Sequence, residues 1–309
     1  MESSASSFDY VQYLTTASSL IQVGAVLLFS VIFALLAPVF GCLFAGIDRK
    51  ISARMQGRVG PSLLQPYYDL RKLLNKDKKS VNGSENTYIT TALIFVFFAG
   101  GIFFCGANIL LCIFILTLSS LLFIMAAFCA RSPYSEIGGM REILQVLSYE
   151  PAVILMCVGF YLVTKSFRVS SVTDISTPLI TSLWPIFLSL VFILVIKFRK
   201  SPFDLSMSHH VHQEIVRGVT TEMSGSVLAK VEILHWCENV LFMGWVSMFF
   251  LCSNPISILY CIIACILVYF FVIFVDNNFA RIKWSAMLKY TWIAIFVLCV
   301  PNIVFLLFI

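Results

Sequence analysis

Charged residues are scarce in this sequence, and their scarcity argues against a soluble protein. Asp, Glu, Lys and Arg make up 12% of the 309 residues, whereas hydrophobic residues make up 60%. A soluble domain would carry roughly twice that charged fraction. The sequence also lacks a glycine-rich phosphate loop, a nucleophile elbow and a dinucleotide-binding fingerprint. We therefore expect no catalytic residue in this chain and no nucleic-acid partner.

Closely spaced cysteines are also missing. The chain has ten cysteines, all in apolar stretches, and no two have the C-x-x-C spacing. Cys261 and Cys265 share a helix face, but iron–sulfur and zinc sites need several converging ligands. These cysteines are typical of small buried side chains. We expect the chain to carry no metal and no cofactor of its own.

Long apolar runs are what the sequence does contain, and they predict an all-α, polytopic membrane protein. About 20 apolar residues suffice to span a bilayer as a helix. On that basis residues 1–309 form one integral membrane domain with eight transmembrane helices and amphipathic helices in its cytoplasmic loops. The predicted spans are 19–47, 88–107, 109–130, 147–165, 178–197, 228–252, 255–275 and 289–308.

The basic residues lie almost entirely on one side of the predicted helices. Nineteen of the 21 Lys and Arg residues fall in alternate loops and their flanking ends, and only Lys165 and Arg168 fall on the other side. Basic loops face the cytoplasm. The pattern predicts a multi-pass protein of the cytoplasmic membrane with both termini outside. Its cytoplasmic loops would be 48–86, 131–146, 197–227 and 276–288.

The first of these loops has two interpretations. Arg54 and Arg58 would share a helix face, Gly60-Pro61 then breaks the chain, and residues 66–74 can restart as an amphipathic surface helix. The basic residues could serve topology and contact with anionic headgroups. The turn at 57–61 could instead shape a docking surface for a peripheral partner.

Acidic residues next to the apolar runs are the candidates for an ion path. Glu150 could merely complement the start of a helix. If that helix begins upstream, near Met140, Glu142 and Glu150 lie two turns apart on one face and could relay protons. Asp204 could be a helix cap or part of such a path.

A second group of ionisable residues lies at the start of the sixth predicted helix. Glu232, His235 and Glu238 have the spacing Glu-x-x-His-x-x-Glu, which places them near one helical stripe. A di-iron site would need a second such pair and two further Glu, which the sequence lacks. The loop histidines His209, His210 and His212 have no neighbouring cysteine. Both groups favour a proton-conducting or partner-facing role over metal binding.

Four motifs together make the chain resemble the subunit 1/H family of respiratory complex I, and in particular the membrane anchor of Ech-type energy-converting nickel–iron hydrogenases. The resemblance covers nearly the whole chain. The motifs are Asp48-Arg49-Lys50 through Gly57-Arg58-Val59-Gly60-Pro61 with Leu64-Gln65-Pro66, Arg141 to Glu150, Ser201-Pro202-Phe203-Asp204-Leu205, and Gln213-Glu214-Ile215-Val216 to Thr221-Glu222.

The resemblance implies a non-catalytic subunit that docks a hydrophilic redox arm and begins a charged path for protons or sodium ions. It implies path roles for Glu150, Glu214, Glu222 and Asp204. It implies docking roles for Arg49, Arg54 and Arg58, next to Gly60, Pro61 and Arg217. The iron–sulfur clusters and the nickel–iron site would belong to partners. Those partners would be the hydrogenase small and large subunits, a ferredoxin-like iron–sulfur subunit and an antiporter-like membrane subunit, within the lipid bilayer.

Two departures from the family pattern bear on its function. Only Ser62-Leu63 separates Pro61 from Leu64-Gln65-Pro66, where quinone-reducing members have a longer segment bordering the quinone cavity. Lys197 stands where those members carry an acid. We therefore expect coupling of ferredoxin and hydrogen chemistry to ion translocation, with Glu232, His235 or Glu238 completing the path. The alternatives are a quinone-reducing or formate hydrogenlyase membrane subunit, or a passive anchor.

Overall fold

A bundle of long helices accounts for most of the described chain in the computed structural model. The structure describes residues 2–77, 83–206 and 217–308, with backbone alone over 2–20. Within those ranges it contains no β-strand. Its helices are α1 Glu2–Met55, α2 Gln65–Leu74, α3 Gly83–Phe104, α4 Ile109–Cys129, α5 Pro133–Thr164, α6 Ile180–Lys197, α7 Gly225–Met248, α8 Ser257–Asn278, α9 Trp284–Ala294 and α10 Val300–Phe308. The predicted all-α membrane fold is confirmed.

Within the described residues, seven segments are long and apolar enough to cross a membrane. They comprise the 21–55 part of α1, then α3, α4, α5, α6 and α8, and the continuous stretch from α9 to α10. The last stretch includes a π-helical turn, Ile295–Cys299. Many large apolar side chains on α1 and α8 are exposed, as expected for surfaces that face lipid rather than water.

Helix α7 corresponds to the sixth predicted span, 228–252, and it is not among the seven apolar segments of the described chain. It nevertheless runs beside α3 along its whole length. Lys230 near its start donates to Asn86 at 2.8 Å, and Gly244 near its end packs against Phe103. None of its residues is exposed. Surrounding helices therefore shield α7 from lipid, which allows it to carry ionisable groups at membrane depth.

The start of α5 differs from the predicted boundary. Helix α5 begins at Pro133 rather than at 147, so most of the predicted loop 131–146 is helical. Proline suits the first turn of a helix. Gly138 lets α5 approach the 218–220 turn, since a Cβ there would lie 2.4 Å from the Val219 nitrogen. The upstream alternative for the helix carrying Glu142 and Glu150 is therefore the one observed.

The short connections match the sequence patterns more closely. The α3–α4 hairpin turns at Gly106, whose φ of 77° is a left-handed value that glycine adopts readily. Asn108 then caps α4 by accepting a hydrogen bond from Leu110 N at 2.9 Å. The surface helix predicted at 66–74 is α2, which packs on α1 and α7.

The segment that follows α6 is fixed against α5. Gln145, buried on α5, donates to the Phe203 carbonyl at 2.6 Å and accepts from Ser206 at 3.0 Å. Arg141 donates to the Leu205 carbonyl at 3.4 Å. Residues 203–206 are thereby held beside the start of α5, α7 and the end of α8, where the ionisable groups gather.

Candidate ion-path site

Two successive basic residues after α6 organise the site. Arg199 has a φ of 52°, so the chain leaves the helix through a left-handed residue. Arg199 reaches acids of α5 and α7, whereas Lys200 reaches acids of α1 and α8. Two adjacent residues therefore form ion pairs with four helices, α5, α7, α1 and α8.

The arginine cluster consists of Arg199, Glu142, His235 and Glu238. The guanidinium donates to Glu142 at 2.9 Å and lies 3.7 Å from Glu238. It also donates to Nδ1 of His235 at 2.6 Å. The same Nδ1 lies 3.5 Å from Glu238, so the imidazole contacts both the guanidinium and that carboxylate. The acid side chains are only 8% and 6% exposed. The cluster thus buries two carboxylates on one cation.

The lysine cluster consists of Lys200, Asp48 and Asp276. The ammonium lies 2.5 Å from Asp48 and 3.1 Å from Asp276, and the Ser201 N–H donates to Asp276 at 2.9 Å. Burial alone would lower the pKa of Lys200, but the two carboxylates outweigh it and raise that pKa above its usual range. Lys200 is therefore a fixed positive charge.

Asp204 forms a third ion pair beside these clusters, with Arg281 at 3.2 Å. Arg281 also donates to the Asp204 backbone carbonyl. Burial is the largest influence on this carboxyl and, against the opposing effect of Arg281, raises its pKa to about 6. Asp204 is therefore a path candidate outside the membrane helices with a pKa raised toward neutral pH.

The pH dependence of stability should report this carboxyl. Its folded pKa of about 6 exceeds the ordinary value of 3.8, so the folded state binds the proton more tightly. The resulting stabilisation is complete below about pH 4 and is lost as the pH rises through about 6. Asn resembles the protonated carboxyl at every pH, so only the wild type should lose this stabilisation. We expect the apparent Tm of Asp204→Asn, measured relative to wild type, to rise by roughly 2–6 °C when the pH is raised from about 5 to about 7.5. The exposed Asp174→Asn should show no such trend, and a pH-independent difference for Asp204→Asn would contradict the assignment.

A cavity of about 640 Å³ joins the three groups. Its walls include Arg199 and His235 from one cluster, Lys200 and Asp276 from the other, and Glu232 of α7. Most of the lining side chains are ionisable or polar. Such a cavity suits water and ions, and its walls provide carboxylate and imidazole groups that can exchange protons.

The structure brings some predicted path residues together and separates others. Glu142, His235 and Glu238 meet in the arginine cluster, and Asp204 and Glu232 line the same cavity. Glu150 is half-buried two turns along α5, near enough to Lys197 to act on its charge. Glu222 lies apart, near Glu85. Glu214, with His209, His210 and His212, falls outside the described residues.

The predicted docking residues lie at the end of the bundle that carries the cavity. Arg49 is exposed and pairs with Asp69 of α2 at 2.6 Å. The remaining docking candidates are exposed on α1, on the loop after it and before α7, namely Arg54, Arg58, Gly60, Pro61 and Arg217. Gly60 has a φ of 80°, which fixes the turn that the Gly-Pro pair predicted.

Several charged residues of the site had not been proposed from the sequence. They are Asp48, Arg199, Lys200, Asp276 and Arg281, with Glu85 further away. The sequence does draw attention to Arg199 and Lys200, since they lie in the segment 197–200, where the chain departs from the family pattern. Glu85 is fully buried, and neither of its carboxylate oxygens has a hydrogen-bond partner among the described residues, although the predicted loop 48–86 includes it. Across the part of the chain that the structure describes, no three His, Cys, Asp or Glu side chains are grouped to hold a metal.

Comparison with known proteins agrees with this architecture. The NADH dehydrogenase family matches residues 26–307. The H subunit of the NADH-quinone oxidoreductase of Dehalococcoides mccartyi is 25% identical over 287 residues, covering 85% of this chain and 80% of that protein. Hydrogenase-4 component C of Escherichia coli is 29% identical over 217 residues, covering 65% of this chain and 66% of that protein.

Among solved structures, one from the membrane-bound sulfane sulfur reductase, an archaeal respiratory membrane complex, has the same fold. Its TM-score is 0.80 at 22% identity, covering 91% of this chain and 99% of that one. With the family match over nearly the whole length, the chain belongs to the NADH dehydrogenase subunit 1/H family and is a membrane subunit of a complex I-like oxidoreductase complex.

Proposed function

We propose that this subunit docks the hydrophilic arm of an energy-converting nickel–iron hydrogenase and couples ferredoxin and hydrogen chemistry to proton or sodium translocation. The observation that carries the proposal is the arginine cluster, buried beside a charged cavity at the end where the docking residues lie. The chain would act through charge, without performing the redox reaction.

Electrostatics gives the coupling its physical basis. One unit of charge about 10 Å away changes the energy of an ionised group by roughly 1.7 kcal/mol at an effective dielectric constant of about 20, which is about one pKa unit. Glu142 and Glu238 share a single guanidinium, so their protonation is sensitive to any further charge. A negative charge gained by the docked partner would favour proton uptake at these acids, and its removal would favour release.

The choice of a hydrogenase over a quinone reductase rests on differences between this chain and the quinone-reducing members of the family. The short link Ser62-Leu63 leaves little chain to border a quinone pocket. The larger cavity is lined mostly by ionisable and polar side chains, whereas a quinone tail would need an apolar tunnel. The similarity to Hydrogenase-4 component C supports the same class. A quinone-reducing or formate hydrogenlyase subunit and a passive anchor are the competing proposals.

The proposed assembly follows from this role. The subunit would lie in the cytoplasmic membrane with hydrogenase small and large subunits, a ferredoxin-like iron–sulfur subunit and an antiporter-like membrane subunit. The iron–sulfur clusters and the nickel–iron centre would belong to those partners. This chain would supply the membrane anchor, the docking surface and the first acids of the ion path.

A mild-detergent pull-down of the tagged subunit from native membranes tests the proposal. The eluate is assayed for nickel, for hydrogen evolution from reduced ferredoxin, and for quinone reduction. We expect nickel and hydrogen evolution together, because the docked arm would remain attached. Quinone-dependent activity without nickel would instead identify a quinone reductase and contradict the hydrogenase assignment.

A further inference from the structure

A second cavity, of about 420 Å³, lies between the surface helix α2, the end of α1 and the start of α7. Leu73 of α2 and Leu228 and Trp236 of α7 give it an apolar wall. Leu228 and Trp236 are buried. None of Arg199, Glu142, His235 and Glu238 lines this cavity, although it shares Arg49, Glu232 and Trp236 with the larger one.

Basic side chains dominate the rim of this cavity. Its ionisable lining residues are four bases, Arg49, Lys72, Lys76 and Arg217, and two acids, Asp69 and Glu232. Arg49 is paired with Asp69 at 2.6 Å. Within the described ranges, Lys72, Lys76 and Arg217 form no ion pair. With four bases against two acids, the lining carries a formal net charge of +2 beside an apolar wall.

Two exposed tyrosines on α2 are consistent with a position of this surface helix at a membrane interface. Tyr67 and Tyr68 of α2 are about half exposed, at 51% and 47%, as aromatic residues at a membrane interface are. The start of α7 is packed closely against the end of α2, since a Cβ on Gly225 would lie 2.9 Å from the Asp77 carbonyl oxygen. α2 thus covers the end of a membrane helix at the boundary between lipid and water.

We infer that this cavity binds the phosphodiester headgroup of an anionic phospholipid from the leaflet on the loop side. Lys72 and Lys76 would contact the phosphate, while the glycerol and the first acyl carbons would pack on the apolar wall at Leu73. Basic pockets beside membrane helices on the cytoplasmic side bind anionic headgroups. The apolar wall and the interfacial tyrosines favour a lipid over an acidic segment of a partner protein. The inference does not depend on which redox arm docks.

The test uses the complex purified with this subunit, delipidated in detergent and titrated with phosphatidylglycerol or phosphatidylcholine while native mass spectrometry counts retained lipids. We expect one phosphatidylglycerol to be retained by wild type in preference to phosphatidylcholine. The double variant Lys72→Gln/Lys76→Gln should bind it on the order of 30-fold more weakly, because each lysine near an anionic headgroup contributes about a fivefold factor.

The matched control is Lys283→Gln/Lys289→Gln, which removes the same charge from exposed positions on the same side of the bundle, outside the cavity. It should retain phosphatidylglycerol as wild type does, and both double variants should keep the wild-type apparent Tm. Equal weakening in both would indicate general charge attraction and overturn the site. Equal affinity for phosphatidylcholine, or displacement of the lipid by the hydrophilic subunits, would overturn it as well.

Discussion

Replacing Arg199 by methionine is expected to destabilise the protein by about 3–5 kcal/mol. The change leaves Glu142 and Glu238 buried with no cation between them, and it removes the donor to His235. Breaking one partner of a buried ion pair is far more harmful than replacing the whole pair by apolar groups. The measurement is the apparent Tm of the purified subunit complex together with its yield from membranes.

Two further variants make this result specific. Arg71→Met removes an exposed arginine from α2 and should change stability by less than about 0.5 kcal/mol. The triple variant Arg199→Met/Glu142→Gln/Glu238→Gln should recover part of the loss, because the two carboxylates that Arg199 contacts are then neutral. A single Arg199→Met variant as stable as the Arg71→Met control would mean that the arginine cluster is not a tight ion network.

The local features of this fold could be predicted because they depend on neighbouring residues. Apolar run length predicts the helices, and Gly106 with Asn108 predicts the α3–α4 turn. The start of α5 was missed for a tertiary reason. Gly138 and Gly139 weaken a helix in isolation, but here Gly138 permits close contact with the 218–220 turn.

The site could be predicted only in part, because its ion pairs join distant segments. Arg199 and Glu142 are 57 residues apart, and Lys200 and Asp48 are 152 apart. Helical spacing places Glu232, His235 and Glu238 along one stripe, but it gives no information about which cation faces them. That cation comes from a left-handed residue at the end of α6, which only the folded chain reveals.

Glu150 offers the clearest separation of function from structure among the path candidates. Glu142 and Glu238 contact Arg199, so changing either also disturbs the cluster. Glu150 is half-buried, and no described residue forms a hydrogen bond or ion pair with it, although it lies near Lys197. An amide at this position should therefore leave folding and docking intact while removing the titratable group.

We expect Glu150→Gln to assemble normally and to retain redox turnover in detergent, but to lose ion translocation in proteoliposomes by at least about tenfold. A relay site that cannot release or accept a proton interrupts the whole path.

Glu150→Asp, which keeps a carboxyl group, should recover part of the gradient. Glu136→Gln, an exposed change on the same helix, should pump as wild type. A full gradient in Glu150→Gln would place the path elsewhere. If amide replacements at Glu142, Glu222 and Glu238 were silent too, this subunit would be an anchor, and the translocated ion would cross through another chain of the complex.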